Sequence, residues 1–387
     1  GDTKGNKSVA IGDSALGSQN FTTSTDTFNT AVGYSAGVNV TTGVQNTLIG
    51  GLSGDAMTAG GTNTAVGYLS LSSETDGVRS TAVGHSALAT QNLAGGYQAY
   101  NVAVGYNAGT AITTGLQNTL IGSLAGDVLS DADYNVAVGY GSLSADTQGS
   151  RSVAIGRAAL DAQNFTSATN AYNTAVGSQA GNQITTGVEN TLIGASAGDA
   201  LTVGSNNVAL GYEALSSETA GDRSVAIGRA ALQVQNNTSN ADIYNVAIGY
   251  GTGESVTTGV QNTLIGGLAG DDLTDADYNV AVGYGALDAD TQGSKSTAIG
   301  KSALTNQNFT SATDSHNTAV GFHSGLAITT GTYNTLLGGL SGDALTDADF
   351  NTALGYGTLS SDTLGSKSVA IGSKALFTQN FTSATDA

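Results

Sequence analysis

Polar and hydrophobic positions alternate along this chain in one five-residue block that returns from end to end. Asn or Ser is followed by Thr or Val, then Ala or Leu, then Val, Ile or Leu, then Gly, as in Asn29-Thr30-Ala31-Val32-Gly33. The block glycines begin at Gly12, Gly33, Gly50, Gly67 and Gly84 and run to Gly372, 21 copies in all. Their spacing repeats as one long step, from Gly12 to Gly33, and three shorter equal ones. The resulting super-repeat links Gly12, Gly84, Gly156, Gly228, Gly300 and Gly372. Two nested periods without an insertion mark a solenoid, in which each coil contacts only its neighbours.

Alternation at a period of two predicts a short strand in each block. Thr30 and Val32 then share one face, and Ala31 and Gly33 the other. The position three before the block glycine is always Val or Thr, β-branched types suited to a pleated surface. Three positions after it comes Ala, Ser or Thr, and then Leu or Gly, which suits a tight bend. No apolar pattern at helical spacing interrupts the series. Each coil is therefore expected to run as a strand, a bend, a second shorter strand and a polar turn.

The fold class expected is all-β: a parallel β-solenoid of 21 coils, forming a single rod over positions 1–387. Its coils are of two kinds, 17-residue short coils and 21-residue long coils, in a 72-residue super-repeat. At about 4.8 Å per coil the rod would be on the order of 100 Å long, with about 19 Å per super-repeat. The Asn that opens fifteen of the blocks, including Asn29, Asn46 and Asn63, is expected to stack into a hydrogen-bonded ladder. Gly33, Gly50 and Gly67 close the corresponding blocks.

Neither face of the block carries charge. Strands apolar on both faces are usually covered on both, yet so short a coil encloses only one interior. The second face is expected to meet other copies of the chain, with the small Ala and Gly positions allowing close approach. That predicts a homo-oligomer whose axis runs along the rod.

Composition narrows the function classes. The chain has 56 Gly but no Pro, Cys or Trp, so it holds no disulfide, thiolate metal site or cysteine nucleophile. Three histidines, His85, His316 and His323, at unrelated repeat positions, are little material for a metal or catalytic centre. Asp and Glu number 30 against 11 Lys and Arg, and the resulting charge of −19 repels nucleic acid and anionic lipid. No apolar run is long enough for a spanning helix, so no membrane insertion by this segment is expected.

Ser8-Val9-Ala10-Ile11-Gly12, Ser152-Val153-Ala154-Ile155-Gly156 and Ser224-Val225-Ala226-Ile227-Gly228 resemble the head repeats of YadA-like trimeric autotransporter adhesins. The blocks Asn29 to Tyr34 and Asn63 to Tyr68 are similar to repeats of phage tail fibres and long microbial surface proteins. The resemblance covers nearly the whole chain, although these coils are longer than that family's. It implies a left-handed β-roll, a homotrimer, and an extracellular place on a cell surface or virion fibre. The array is expected to continue at both ends, as further chain or as stacked subunits.

Several decorations are candidates for chemistry. Asn20, Asn164, Asn236, Asn308 and Asn380 head Asn-x-Thr patterns in the long coils, the acceptor pattern for N-glycosylation. Asp131 with Asp133, Asp275 with Asp277, and Asp347 with Asp349 place carboxylates two positions apart, as a calcium site needs at minimum. No other cofactor is suggested. Basic side chains cluster on the long coils, with Lys7, Arg79, Arg151, Arg223, Lys295 and Lys367 five before their glycines and Arg157, Arg229 and Lys301 one after. Tyr34, Tyr68, Tyr106 and their successors follow block glycines, where they pack on the bend or stack on sugar rings.

An active site must break a repeat, and here each acid or Tyr of interest has counterparts in other super-repeats. The chain is therefore expected to be no enzyme, and no catalytic residue is assigned. The leading expectation is a structural extracellular fibre or shaft that gives reach or attachment. An adhesin whose lateral surface binds a receptor or glycan is the alternative, and a glycan-cleaving β-helix the third reading.

Overall fold

The computed structural model describes every residue except 1, 3, 384 and 387. Among the described residues regular secondary structure is entirely β: 21 three-residue strands, one per block, and eight two-residue strands. The chain forms two compact units, Gly1–Asn190 and Thr191–Ala387. In the first, strands from Val9–Ile11 to Thr174–Val176 pair in parallel and in chain order, with Ala10 beside Ala31 and Ala31 beside Leu48. The second repeats this from Thr191–Ile193 to Val369–Ile371, with Leu192 beside Ala209 and Ala209 beside Ala226. Each unit is a parallel β-solenoid.

The structure reverses the expected roles of the two strand faces. Ala31, Ala65 and Leu48 are fully buried, while Thr30 and Val32 are half-exposed. The small residues are small because the coil is narrow and the bend lies directly opposite them. Leu48, the one leucine at this block position in its super-repeat, spreads its methyls over two glycines of that bend. A Cβ on Gly37 would stand 2.6 Å from Leu48 Cδ1, and one on Gly54 would stand 2.9 Å from Cδ2. The coils of Ala65 and Ala82 carry Leu71 and Leu88 at the position of those glycines instead, both buried, while the coil of Ala31 keeps Gly37 and is filled by Leu48 of the next coil. Volume is thus exchanged across the interior at near-constant total, as close packing requires.

The buried asparagines join one coil to the next. Asn46 N–H donates to Asn29 Oδ1 at 2.9 Å, and Asn63 N–H to Asn46 Oδ1 at 3.0 Å. The same side chains donate to backbone carbonyls, Asn29 to Gly43 at 2.8 Å and Asn46 to Gly60 at 2.9 Å. At long coils the block opens with Ser and a glutamine carries the chain of bonds. Ser80 N–H donates to Asn63 Oδ1, Gln91 Nε2 donates to Ser80 Oγ at 2.8 Å, and Asn101 Nδ2 donates to Gln91 Oε1 at 2.9 Å.

A second strand in every coil is not what the structure shows. Among the described residues, two-residue strands form only beside long coils, as where Gly149–Ser150 pairs with Thr169–Asn170. In the shorter coils that side is a series of turns, and corner residues such as Gln45 (φ 61°) and Leu52 (φ 56°) take the left-handed conformation. Their N–H groups still reach the neighbouring coil, Gln45 to Thr27 O at 2.7 Å and Leu52 to Tyr34 O at 2.9 Å. The extra length of the long coil gives the chain room to extend.

Block glycines are required twice over. Gly50 has φ 131°, and a Cβ there would lie 2.5 Å from Gly67 O. Replacing Gly50 by Ala is expected to cost about 3 kcal/mol, whereas Gly51→Ala should stay within about 0.5 kcal/mol. Asn63→Ala strands the Ser80 N–H and Gly77 carbonyl and should cost about 3 kcal/mol. Urea unfolding of the three variants checks the order.

Candidate functional site

The face turned outward is the β-branched one. Its two columns lie three positions and one position before each block glycine, and Ile121 at 40% and Ile265 at 37% are typical of the exposure along the second. With the flanking positions the face is about 20 Å wide and ten coils long, roughly 1,000 Å² in each unit. The described residues form no concave pocket. The distinctive surface of this protein is a flat sheet.

Aromatic and basic side chains line both margins. Five positions before the glycines, Lys7 Nζ lies 5.0 Å from the Phe28 ring, the Arg151 guanidinium 4.9 Å from Tyr134, and the Arg223 guanidinium 5.7 Å from Tyr244. Such cation–π contacts stabilise exposed sites modestly. Four bases of this margin also pair with acids of the long coil, among them Lys7 with Asp26 at 2.8 Å and Arg223 with Asp242, while Arg79 and Arg151 bond the Gln98 and Asn170 amides instead. Being half-exposed, these ion pairs add little stability.

On the other margin, one position after the glycines, an aromatic falls on every second coil from Tyr34 to Tyr356 except at Ser178. Tyr34, Tyr68, Tyr106 and Tyr140 do so in the first unit, and Tyr212, Tyr250, Tyr284, Phe322 and Tyr356 in the second. Between them small residues alternate with basic ones: Gly51, His85, Ser123 and Arg157, then Arg229, Gly267, Lys301 and Gly339. His85 lies 5.4 Å from both Tyr68 and Tyr106, and Arg229 lies 5.9 Å and 5.5 Å from Tyr212 and Tyr250. His85 is therefore no stray: it stands one super-repeat before Arg157 and occupies the basic position of this column. His316 and His323 likewise stack in the margins, on Tyr333 and Phe322.

A row of buried carboxylates went unread in the sequence. Glu74, Asp146, Glu218, Asp290 and Asp362 recur once per super-repeat, and each is inaccessible to solvent. Asp146 accepts from Gly149 N–H at 3.0 Å, Phe165 N–H at 3.0 Å and Gln163 Nε2 at 2.5 Å. Burial pushes its carboxyl above the usual range, against the pull of those donors. Asp2 holds the equivalent place in the first coil. There burial also raises the carboxyl, but the Lys4, Gly5 and Phe21 N–H groups and the Gln19 amide outweigh it and bring it to about 2. The available signal was the super-repeat spacing, together with a glutamine at a fixed distance further along the chain, Gln163 for Asp146.

The Gln-Asn-Phe-Thr segments consequently serve the interior as well as the surface. Phe165 and Phe309 are buried, and Cβ atoms on Gly149 and Gly293 would stand 2.8 Å and 2.7 Å from their rings. Beside them Asn20, Asn164, Asn236 and Asn380 are exposed, and Asn308 is half-buried. The Oδ1 atoms of Asn164, Asn236, Asn308 and Asn380 accept from threonine hydroxyls of the preceding coil, Asn236 from Thr219 at 2.9 Å.

The paired aspartates are placed on opposite sides of a buried alanine, such as Ala132. Asp131 accepts from Thr114 Oγ1 at 2.5 Å and Asp133 from Leu116 N–H at 2.7 Å. Asp275 and Asp277 do the same with Thr258 and Val260, and Asp347 and Asp349 with Thr330 and Thr332. These carboxylates clasp the Thr-Thr-Gly turn of the preceding coil. No group of three acidic, His or Cys side chains that could hold a metal ion occurs among the described residues.

No protein-family model matches the chain, and no curated protein matches it. The site is therefore read from its own geometry.

One acidic pair yields a pH dependence. Asp271 is held up to about 8 by burial, then by the hydrogen bond and charge of Asp288, and by the charge of Asp272. A carboxyl with a folded value above its ordinary 3.8 contributes stability that is full below 3.8 and is lost as pH rises to about 8. The unfolding midpoint should fall over that window in the native chain and fall less in Asp271→Asn, measured by thermal unfolding at each pH.

Proposed function

We propose that this chain is a segment of an extracellular structural fibre, a shaft at a cell or virion surface built from several copies in register. The observation that carries this reading is the exposed face. At roughly 1,000 Å² per unit it exceeds the ~800 Å² each partner contributes to a standard interface. A second copy of the same face offers the same spacing of coils, because every coil advances by one strand separation. Three copies around an axis along the strand stack is the arrangement that the resemblance to YadA-like heads implies. The regularity of the coils supports a shaft, since receptor sites tend to occupy irregular loops.

Sedimentation equilibrium of the whole chain at low concentration tests the reading. The expected mass is three times 38.1 kDa, about 114 kDa. A chain carrying Ile121→Lys and Ile265→Lys, both on the exposed face, should fall to 38.1 kDa with an unchanged far-UV circular dichroism spectrum. A native chain that sediments at 38.1 kDa at every concentration would sink the proposal.

A further inference from the structure

The packing of the long coils accounts for the asparagines of their Asn-x-Thr segments but not for the threonines. In Gln163-Asn164-Phe165-Thr166 the side chains alternate, with Gln163 and Phe165 buried and Asn164 and Thr166 exposed. Gln235-Asn236-Asn237-Thr238 repeats the alternation, with Gln235 and Asn237 inside. Each amide is anchored through its oxygen, Asn164 Oδ1 accepting from Thr147 Oγ1 at 3.3 Å and Asn236 Oδ1 from Thr219 Oγ1 at 2.9 Å. Among the described residues, Nδ2 of Asn164, Asn236, Asn308 and Asn380 has no hydrogen-bond partner, and neither have the hydroxyls of Thr166, Thr238 and Thr310.

One long coil shows that the fold does not need that hydroxyl. Asn92 holds the same place, and its Oδ1 accepts from Thr75 Oγ1 at 2.9 Å. Gln91 and the Leu93 N–H bond the buried Glu74, as Gln163 and the Phe165 N–H bond Asp146. Two positions after Asn92, however, stands an exposed Ala94. The coil closes on its buried carboxylate all the same. The other five long coils nevertheless carry Thr there: Thr22, Thr166, Thr238, Thr310 and Thr382, all exposed. Thr238 is present even though the buried residue before it is Asn237 rather than Phe.

We infer that Asn20, Asn164, Asn236 and Asn380 carry N-linked sugars, with Asn308, half-buried, occupied least. N-glycosylation reads an amide and a hydroxyl two positions apart, and the alternation of the segment sets both on one solvent-facing side. In the transfer, Nδ2 bonds the anomeric carbon of a diphosphate-activated sugar. The bond from that carbon to the diphosphate oxygen breaks, and the diphosphate leaves with the amide proton. The acceptors stand eight positions after the block glycines, outside the strand columns and both margins of the exposed face. In the second unit they recur about every 19 Å. Bulky, solubilising sugars would thus be carried clear of the face that meets another copy. This goes beyond the shaft reading and does not depend on the number of copies, which sedimentation measures separately.

Peptide mapping by mass spectrometry tests it on the protein purified from its own source, with fragmentation that leaves sugars attached. Sugar is expected on Asn20, Asn164, Asn236 and Asn380, least on Asn308, and none on Asn92. An oligosaccharide would mark a lipid-linked donor, and a single hexose a nucleotide-linked one; either supports the inference. Thr166→Ala, made in the same source, should abolish the sugar on Asn164 and leave the other sites and the far-UV circular dichroism spectrum unchanged. Ala94→Thr should add a sugar to Asn92, and serves if the first variant misfolds. Bare amides at Asn20, Asn164, Asn236 and Asn380 would overturn the inference. So would sugar on Asn92 in the native chain, sugar on Asn164 that survives Thr166→Ala, or a bare Asn92 in Ala94→Thr.

Discussion

Each asparagine that opens a block bonds two backbone groups of the next coil, accepting from the N–H of the following block and donating to a carbonyl of the turn before it. Buried backbone groups are costly to leave unpaired, and the turns of this fold offer them no sheet ladder. The side-chain amide replaces that ladder at the narrowest point of the interior. It also fixes the axial register of neighbouring coils, because a slip would separate every amide from its partners. In the long coils a Ser, a Gln and a buried carboxylate together reproduce what the amide does elsewhere.

Register in turn allows the backbone to be strained. Corner residues such as Leu71, at φ 49°, adopt a conformation that costs about 1 kcal/mol or more for any residue with a Cβ. Leu71 N–H nevertheless reaches Ala87 O at 3.1 Å, and its side chain is fully buried. The inter-coil bond and the burial hold the corner in place. The same repetition carries a cost on the surface: acids that follow the bends, such as Asp271 and Asp288, are stacked one strand separation apart and repel.

The exterior follows from the interior. Since the narrow coil admits Ala, Leu and Asn, the β-branched residues of each strand turn outward and form a flat sheet between aromatic margins. A parallel sheet bare on one face is the unusual feature here, because such sheets are ordinarily covered on both.

The period of the block glycines was enough to read the strands, the parallel order and the coil count, because a glycine recurring at two fixed intervals can only be stacked on itself. Asn29, Asn46 and Asn63 were legible as a ladder for the same reason. Which face lay inside was not, since Thr30-Ala31-Val32 alternates but carries no charge to mark solvent, and only the opposing bend at Gly37 and Gly54 decides it. Nor was the partnership of Asp131 with Thr114, or of Asp146 with Gln163, since each joins positions one coil apart that meet only when one coil lies on the next. Sequence determined the spacing of the coils; tertiary stacking decided which side chains faced each other across it, because contacts along the axis depend on what the neighbouring coil presents.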